Sequence, residues 1–268
     1  MKEIRLAVIG GGKMGEAIIK GLLAAGTLHS NDIVVSDIDP SRRRHLAQEY
    51  DVSATESNSA AATGAQVVLL AVKPQQIDVT LAELSSALRS RPLVISIAAG
   101  VSIARIAAHL PDATPIVRAM PNTAAQVGKA ITAISPGPFV EDSSLELAER
   151  LLSSIGSVVV IDERLQNSAV AINGSGPAYF YLFIEALVDS GVANGLDRDV
   201  ATRLAVETMA GAAEMLARTG KHPALLIDEV ASPGGTTIAA LEAFEAAGLR
   251  TAVFNAVDAA VRRANELG

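Results

Sequence analysis

The chain has 268 residues, half of them hydrophobic but only 3% aromatic, and a formal net charge of −7. This length suits one large domain or two modest ones with aliphatic cores. The acidic balance argues against a nucleic-acid partner, because phosphate backbones demand a basic face. The lack of cysteine excludes disulfides, thiolate catalysis and cysteine-based zinc sites, and it fits a reducing cytoplasm.

Membrane, secretory and metal-binding functions are not indicated either. No apolar run is long enough to span a bilayer, and residues 1–5 lead into a short apolar strand rather than a secretory segment. The four histidines, at positions 29, 45, 109 and 222, lack the spacing of metal ligands. We therefore expect a soluble, cytoplasmic protein without a metal.

Short β-rich segments alternate with helical patterns in the first part of the chain, which predicts a parallel sheet covered by helices. The predicted strands are residues 4–9, 33–36, 67–72, 93–97, 115–118, 130–134 and 157–161. The predicted helices include residues 14–25, with Gly26 as the C-cap, and residues 77–88.

From about Glu163 onward the strand patterns stop. Helices are predicted at residues 178–190, begun by Pro177 and ended by Gly191, and up to residue 219, capped by Asp197 and closed by Gly220, with two more towards the end. The predicted class is α/β: a doubly wound sheet over residues 1–162, then an all-α domain over residues 163–268.

The helices of the second domain are rich in alanine. Alanine-lined helices pack closely, but four or five of them make a thin core on their own. We infer that a second copy of the chain completes this domain, since symmetric dimers are the commonest assembly. The alternative is a self-sufficient helical bundle docked onto the sheet.

A glycine-rich turn follows the first predicted strand and opens a helix. It reads Gly10-Gly11-Gly12-Lys13-Met14-Gly15. Gly10 permits the tight turn, Gly12 lets the backbone approach a pyrophosphate, and Gly15 allows close helix–strand packing. In this context a dinucleotide site is a better interpretation than a ligand-free turn.

The end of the second predicted strand bears on which dinucleotide is bound. An acid at this place grips the ribose 2′-hydroxyl of NAD, whereas an arginine or hydroxyl nearby accommodates the 2′-phosphate of NADP. Asp37 favours the first, while Ser36 and the arginines at 42–44 favour the second, unless they form a solvated helix face. The sequence leaves NAD and NADP both open.

Two further strands end in segments that suit a ligand-binding sheet edge. The strand at 67–72 runs into Ala71-Val72-Lys73-Pro74, and the strand at 93–97 runs into Ala98-Ala99-Gly100. The small residues would let a flat ring approach the backbone, or they would serve helix packing.

The loop Ser232-Pro233-Gly234-Gly235-Thr236-Thr237 opens a helix that is predicted to reach Ala247. A helix start offers unpaired N–H groups and the positive end of the helix dipole. With two hydroxyl donors added, it suits a small anion such as a carboxylate. The alternative is an ordinary N-cap, which needs only one serine or threonine.

Six motifs occur in a set order along the whole chain. They are Gly10-Gly11-Gly12-Lys13-Met14, Ala71-Val72-Lys73-Pro74, Ser96-Ile97-Ala98-Ala99-Gly100, Arg118-Ala119-Met120-Pro121-Asn122-Thr123, Gly174-Ser175-Gly176-Pro177-Ala178-Tyr179 and Ser232-Pro233-Gly234-Gly235-Thr236-Thr237. Together they resemble pyrroline-5-carboxylate reductase, the last enzyme of proline biosynthesis. Ala124 departs from the family, which commonly has proline there, and Asp37 is unusual for a strictly NADPH-dependent member.

The resemblance implies reduction of 1-pyrroline-5-carboxylate to L-proline by NADPH or NADH. It also implies a Rossmann-type domain followed by an interlocked helical dimerisation domain, often built into a ring of dimers. The residues expected to contact the cofactor are the glycine turn, Ser36, Asp37, Asn58, Ala71, Val72, Lys73, Pro74, Ile97, Ala98 and Ala99. Gly235, Thr236 and Thr237 would hold the substrate from the partner subunit, with Glu163 near it.

Cyclic-imine chemistry suits these residues, since hydride transfer belongs to the cofactor and the protein mainly positions the imine carbon. We hypothesise that Thr237 hydrogen-bonds the ring nitrogen and helps the proton to reach it. A β-hydroxyacid dehydrogenase would carry a lysine on the long helix after the sheet domain, yet no lysine lies between Lys129 and Lys221. The alternative function of a non-catalytic nucleotide sensor would account for the glycine turn, but not for a second, hydroxyl-rich anion site at Thr236-Thr237.

Overall fold

The structure is a computed structural model that describes residues 4–267, so the expected start of the chain at residues 1–3 lies outside the described part. Two compact units are found, one formed by residues up to Ser175 together with those from Ala260 onward, the other by Gly176–Ala259. The units part after Ser175, later in the chain than the boundary expected between residues 162 and 163, which stays a prediction.

The first unit is a sheet with short helices. Its strands are β1 (Leu6–Ile9), β2 (Ile33–Ser36), β3 (Ser53–Thr55), β4 (Val67–Leu70), β5 (Leu93–Ser96), β6 (Ile116–Met120), β7 (Ala130–Pro136) and β8 (Gly156–Val160). Its helices are α1 (Lys13–Ala24), α2 (Pro40–Tyr50), α3 (Asn58–Ala62), α4 (Ile77–Leu84), α5 (Ile103–Ala107), α6 (Asp142–Leu152) and α7 (Gln166–Ala169). Short 3-10 turns lie at Ser30–Asp32, Pro74–Gln76, Ala87–Ser90, Thr123–Val127, Ser153–Ile155 and Glu163–Leu165, and a π-helical turn at Val170–Gly174.

All eight strands form one sheet in the order β3-β2-β1-β4-β5-β6-β7-β8. Every neighbouring pair is parallel except β6 and β7, which are antiparallel. The strand order reverses at β1, whose neighbours are β2 and β4. In doubly wound sheets, ligands bind at such a reversal, outside the carboxyl ends of the strands.

The core lies on both faces of this sheet. Strands β1, β4 and β5 are buried along their whole length, as expected for parallel strands covered on both sides. Alternate residues feed two clusters, so Leu6 and Val8 pack with Ile18 of α1, while Ala7 and Ile9 pack on the other face. This confirms the predicted class, an α/β doubly wound sheet followed by helices.

The second unit is helical. It contains α8 (Gly176–Ala193), α9 (Arg198–Thr219), α10 (Pro223–Val230) and α11 (Thr236–Ala246). Helix α12 (Leu249–Leu267) belongs to this unit up to Ala259 and to the first unit from Ala260 onward. Within the described residues no strand follows Val160, as the sequence predicted. Each of these helices is too short or too polar to cross a bilayer.

Only a small cluster is buried in the second unit: Val188, Ala201 and Ala205, with Ile184 and Val192 packed against it. Large apolar side chains are left exposed in this chain, among them Phe180, Tyr181, Leu182, Leu204, Met215, Val253 and Phe254. The core of this unit is therefore as thin as the alanine-rich sequence indicated.

Besides the antiparallel pairing of β6 and β7 in a sheet predicted to be parallel, three details differ from the sequence predictions. The short strand β3 was not predicted, because its three residues are small or polar and carry no apolar pattern. The helix expected at 77–88 is α4 followed by a separate 3-10 turn. Helix α8 does not end at Gly191: a Cβ there would lie 3.1 Å from the Cβ of Ala201, so this glycine serves the close approach of α9.

Candidate functional site

The glycine turn lies at the carboxyl end of β1, where the strand order reverses. Gly10 has a φ of +102°, and a Cβ on it would lie 2.7 Å from the carbonyl oxygen of Ala71. A Cβ on Gly15 would collide with the carbonyl oxygen of Gly10. Both positions therefore need glycine for the turn itself, as the sequence pattern indicated.

The space around Gly12, in contrast, is not occupied by other protein atoms. A Cβ on Gly12 would meet no atom within 4 Å, and this residue is the N-cap of α1 without a side-chain hydrogen bond. The first N–H groups of α1 thus face a space that the protein does not fill. A pyrophosphate fits such a cradle, because it accepts from helix N-terminal amides and needs a close approach to the backbone.

The carboxylate of Asp37 is turned towards the protein. Its Oδ2 accepts a hydrogen bond from the backbone N–H of Gly11 at 2.8 Å, and its Oδ1 accepts one from the N–H of Asp39 at 2.8 Å. Asp37 thus joins the end of β2 to the glycine turn.

Ser36 and Asn58 lie together behind this turn. Ser36 is fully buried, and its hydroxyl donates to Oδ1 of Asn58 at 2.8 Å. Nδ2 of Asn58 donates to Oε2 of Glu83 at 2.6 Å. The backbone N–H of Gly10 donates to the carbonyl oxygen of Ser36 at 2.8 Å, so the first two strand ends are tied together.

Two of the three arginines that follow β2 are engaged by the protein. Arg42 donates to the carbonyl oxygen of Gly11 through Nε at 3.0 Å and Nη2 at 2.6 Å. Arg43 donates through Nη1 to the carbonyl oxygens of Asp37 and Ile38. These two are therefore more than a solvated helix face. Arg44 is exposed.

The ends of β4 and β5 complete the same edge of the sheet. The N–H of Ala71 donates to the carbonyl oxygen of Ile9 at 2.8 Å, and the N–H of Ile97 donates to that of Leu70 at 3.0 Å. Of the expected cofactor residues here, Ala98 is buried, Lys73 and Ala99 are exposed, and Ala71, Val72, Pro74 and Ile97 are half-buried. The structure thus gathers the expected cofactor residues at one edge.

Glu163 lies apart from this edge, against a buried arginine. Its Oε1 accepts from the N–H of Ile103 at 2.7 Å and from Nη1 of Arg118 at 3.3 Å. Arg118 is 8% exposed and also reaches Oδ1 of Asn167 at 3.3 Å. The carboxylate of Glu163 is thus held within the first unit, and its role near a substrate stays a prediction.

Two asparagines that the sequence patterns did not single out contact each other's segments: Asn122 follows β6, and Asn173 lies in the π-helical turn. Nδ2 of Asn122 donates to the carbonyl oxygen of Asn173 at 3.1 Å, and Nδ2 of Asn173 donates to that of Met120 at 2.8 Å. Their Oδ1 atoms are buried without a hydrogen-bond partner. The asparagines tie β6 to the π-helical turn, and the available signal was the Met120-Pro121-Asn122 motif.

The threonine loop belongs to the second unit. Gly234 has a φ of +68°, and the N–H of Gly235 donates to the carbonyl oxygen of Ser232 at 3.0 Å. Gly235 is the N-cap of α11, without a side-chain hydrogen bond. The N-cap is thus a glycine rather than a serine or threonine, so the ordinary-cap alternative does not describe this helix start. Thr236 is exposed and Thr237 is half-buried in the first turn.

Among the described residues, no group of three or more histidine, aspartate and glutamate side chains is placed to hold a metal ion. The binding features are the cradle at the glycine turn and the start of α11, and both favour anionic groups. They suit the phosphates of a dinucleotide and a small carboxylate.

Two family models match different parts of the chain. Residues 163–267 match the family model described as pyrroline-5-carboxylate reductase dimerisation, and residues 5–100 match that described as NADP oxidoreductase coenzyme F420-dependent. The first match begins at the expected start of the helical domain.

A pyrroline-5-carboxylate reductase of Synechocystis sp. is 47% identical over 266 residues, which cover 99% of this chain and 99% of that protein. The structure of the Coxiella burnetii enzyme matches with a TM-score of 0.95 at 36% identity, covering 100% of this chain and 99% of that one. The Plasmodium falciparum enzyme with NADP bound matches with a TM-score of 0.89 at 30% identity, covering 100% and 99%. The chain belongs to the pyrroline-5-carboxylate reductase family.

Proposed function

We propose that this chain reduces 1-pyrroline-5-carboxylate to L-proline, the last step of proline biosynthesis, with NADPH as the donor and NADH as a second one. It is an oxidoreductase that acts on a cyclic C=N bond. The observation that carries the proposal is the open cradle at Gly12, at the strand-order reversal of a chain that belongs to this family.

The residues of the first unit would hold the cofactor. The N–H groups at the start of α1 would bind the pyrophosphate, and Asp37 keeps that turn in shape through Gly11. Ser36 and Asn58 would lie on the adenosine side, while the ends of β4 and β5 would line the nicotinamide side. When bound, the nicotinamide supplies a hydride to the imine carbon.

The start of α11 would hold the substrate carboxylate. Its unpaired N–H groups and the hydroxyls of Thr236 and Thr237 offer hydrogen-bond donors, and the helix dipole favours negative charge there. A Cβ on Gly235 would collide with Oγ of Ser232, so the glycine makes room for this hydroxyl beside the helix start. We place the hydroxyl of Thr237 at the ring nitrogen, where it would orient the imine and help a proton to reach it.

An imine that is protonated before binding needs no strong protein acid, and its reduction makes no alkoxide. This supports imine chemistry in a chain that has no lysine between Lys129 and Lys221. A β-hydroxyacid dehydrogenase would need such a group for the alcohol proton.

We infer that the working form is a homodimer, in which the threonine loop of one subunit serves the cofactor bound by the other. The thin core and the exposed apolar side chains of the second unit support this. A ring of dimers would be the larger assembly. The absence of cysteine from the sequence suits a cytoplasmic location.

The test is to mix the protein with NADPH and pyrroline-5-carboxylate and to follow the nicotinamide absorbance, then to repeat the assay with NADH. We expect substrate-dependent loss of the absorbance and formation of proline. Cofactor binding without turnover by either cofactor would favour a nucleotide sensor. Turnover of β-hydroxyacids with NADP⁺, but not of the imine, would favour the hydroxyacid class.

A further inference from the structure

Three side chains converge on the carboxylate of Glu16, in the first turn of α1 beside the glycine turn. Its Oε2 lies 2.6 Å from Nη2 of Arg42. Its Oε1 lies 2.6 Å from Nε2 of His45 and accepts from the hydroxyl of Tyr50 at 3.1 Å. The side chain of Glu16 is 21% exposed. None of the sequence motifs assigned a role to this residue.

The pKa of Glu16 agrees with this arrangement. Burial raises it, but the hydrogen bonds from Arg42, His45 and Tyr50 outweigh burial and hold the pKa below its ordinary value. Glu16 is therefore ionised at neutral pH. Its charge lies against Arg42, the arginine that also contacts Gly11 in the proposed cofactor site.

A 2′-phosphate that binds Arg42 would have to compete with the carboxylate of Glu16. An arginine after β2 is the usual partner of the 2′-phosphate of NADP, because its planar guanidinium binds phosphate oxygens in pairs. Here Nε and Nη2 are already directed to the carbonyl of Gly11, and Nη2 also contacts Glu16. A 2′-phosphate would have to share Arg42 with a carboxylate of its own charge sign.

We propose that Glu16 is a specificity-determining residue that limits the preference for NADPH over NADH by competing with the 2′-phosphate for Arg42. The carboxylate holds Arg42 against the glycine turn in both cases, so NADH, which has no 2′-phosphate, is not disfavoured. This inference rests on the proposed use of both cofactors.

The decisive variant is Glu16→Gln, which keeps the shape of the side chain but removes its charge. Calorimetry with adenosine 2′,5′-bisphosphate and with 5′-AMP measures binding with and without the 2′-phosphate, independently of any turnover. We expect the affinity ratio between the two ligands to rise about tenfold, the order of one charge-assisted hydrogen bond. An unchanged or lower ratio would overturn the proposal.

A matched control and a second variant keep the test independent of folding defects. Glu49→Gln removes the same charge from an exposed position on α2, and it should leave the ratio within about twofold. Arg42→Met alone should also change the ratio less than about twofold, because Glu16 and the carbonyl of Gly11 already hold Nη2 and Nε of Arg42. A tenfold loss in Arg42→Met would show that Arg42 serves the 2′-phosphate despite Glu16, and would overturn the proposal.

The double variant Glu16→Gln/Arg42→Met separates the competition from a general charge effect. If Arg42 mediates the gain, the double variant should return to the wild-type affinity ratio. Persistence of the gain without Arg42 would contradict the mechanism. A failure of the proposed function would appear elsewhere, as absent turnover of pyrroline-5-carboxylate, and would leave these binding ratios measurable.

Discussion

The carboxylate of Asp37 accepts a hydrogen bond from the backbone N–H of Gly11 at 2.8 Å, across 26 positions of the chain. A residue expected to grip a ribose hydroxyl therefore also shapes the turn that would carry the pyrophosphate. Its other oxygen is bonded to the N–H of Asp39. Asp37 thus couples the end of β2 to the turn that is proposed to bind the pyrophosphate.

Replacement of Asp37 by alanine should weaken the binding of both cofactors, because the N–H of Gly11 loses its hydrogen-bond acceptor and the turn becomes less rigid. We expect KM to rise about tenfold for NADH, the order of one charge-assisted hydrogen bond. The rise for NADPH should be smaller, since removing the charge also relieves repulsion of the 2′-phosphate. Initial rates with each cofactor at saturating substrate test this. A loss confined to NADH would contradict a role in the turn.

The glycines of the turn separate folding from binding. A Cβ at Gly12 would meet no protein atom within 4 Å, whereas one at Gly15 would collide with the carbonyl oxygen of Gly10. We expect Gly12→Ala to keep its Tm but to bind NADPH at least about tenfold more weakly, since the methyl group occupies the phosphate space. Gly15→Ala should lower Tm by several degrees. Equal Tm losses in the two variants would contradict an open cradle at Gly12.

Thr237 should affect turnover more than folding, because it lies at the start of α11 and is not the helix cap. Thr237→Ala should lower kcat about 100-fold if its hydroxyl orients the imine nitrogen, whereas Thr237→Ser should retain most of the activity. Stopped-flow and steady-state rates at saturating substrate measure this. Full turnover by Thr237→Ala at saturating substrate would exclude the role.

Glu163 can act either as the ion-pair partner of Arg118 or as a substrate-binding residue, and the two roles predict different effects of its replacement. If it serves mainly as the partner of Arg118, Glu163→Gln leaves a buried guanidinium without its counter-charge and should lower the free energy of unfolding by about 3 kcal/mol, with KM for the substrate unchanged. Chemical unfolding and substrate titration of the same variant decide between the two roles. A raised KM with unchanged stability would support the substrate role expected from the family.

The sequence identified the features that depend on local chemistry. A continuous apolar run such as Val67–Leu70 has few alternatives to a buried parallel strand, and the glycine pattern at Gly10 requires a turn before a helix. The order of the motifs then indicated the family. Local signals of this kind place most of the sheet and the glycine turn that is proposed to bind the pyrophosphate.

Contacts between distant positions were beyond the sequence. The residues around Glu163 in the sequence do not predict that its carboxylate contacts Arg118, 45 positions away. The one usable signal was Arg118 itself, a charged residue within an apolar strand. The engagement of Asp37 and of Glu16 depends equally on how the elements after β2 pack against α1. The sequence could therefore name charged residues of the proposed cofactor site, but not which of them neutralise one another.

The low pKa of Glu16 makes stability depend on pH in a defined direction. Hydrogen bonds to Arg42, His45 and Tyr50 outweigh burial and keep the folded-state pKa below its ordinary 4.5. The carboxylate therefore stabilises the folded state above pH 4.5, and this contribution is lost as the pH falls through the lowered pKa. The Glu16→Gln variant lacks this contribution. Its free energy of unfolding at neutral pH should be lower by about 1–2 kcal/mol, so it should unfold at a lower urea concentration.

The gap in the free energy of unfolding between wild type and Glu16→Gln should then shrink as the pH is lowered below 4.5, because protonated Glu16 resembles glutamine. Urea titrations of both proteins at neutral pH and at successively lower pH values measure the gap. Glu49→Gln, which lacks the contact with Arg42, should show a small gap at every pH. A gap for Glu16→Gln that stays constant into acid would mean that the contacts of Glu16 do not depend on its charge, and would leave its hydrogen bonds as ordinary polar contacts.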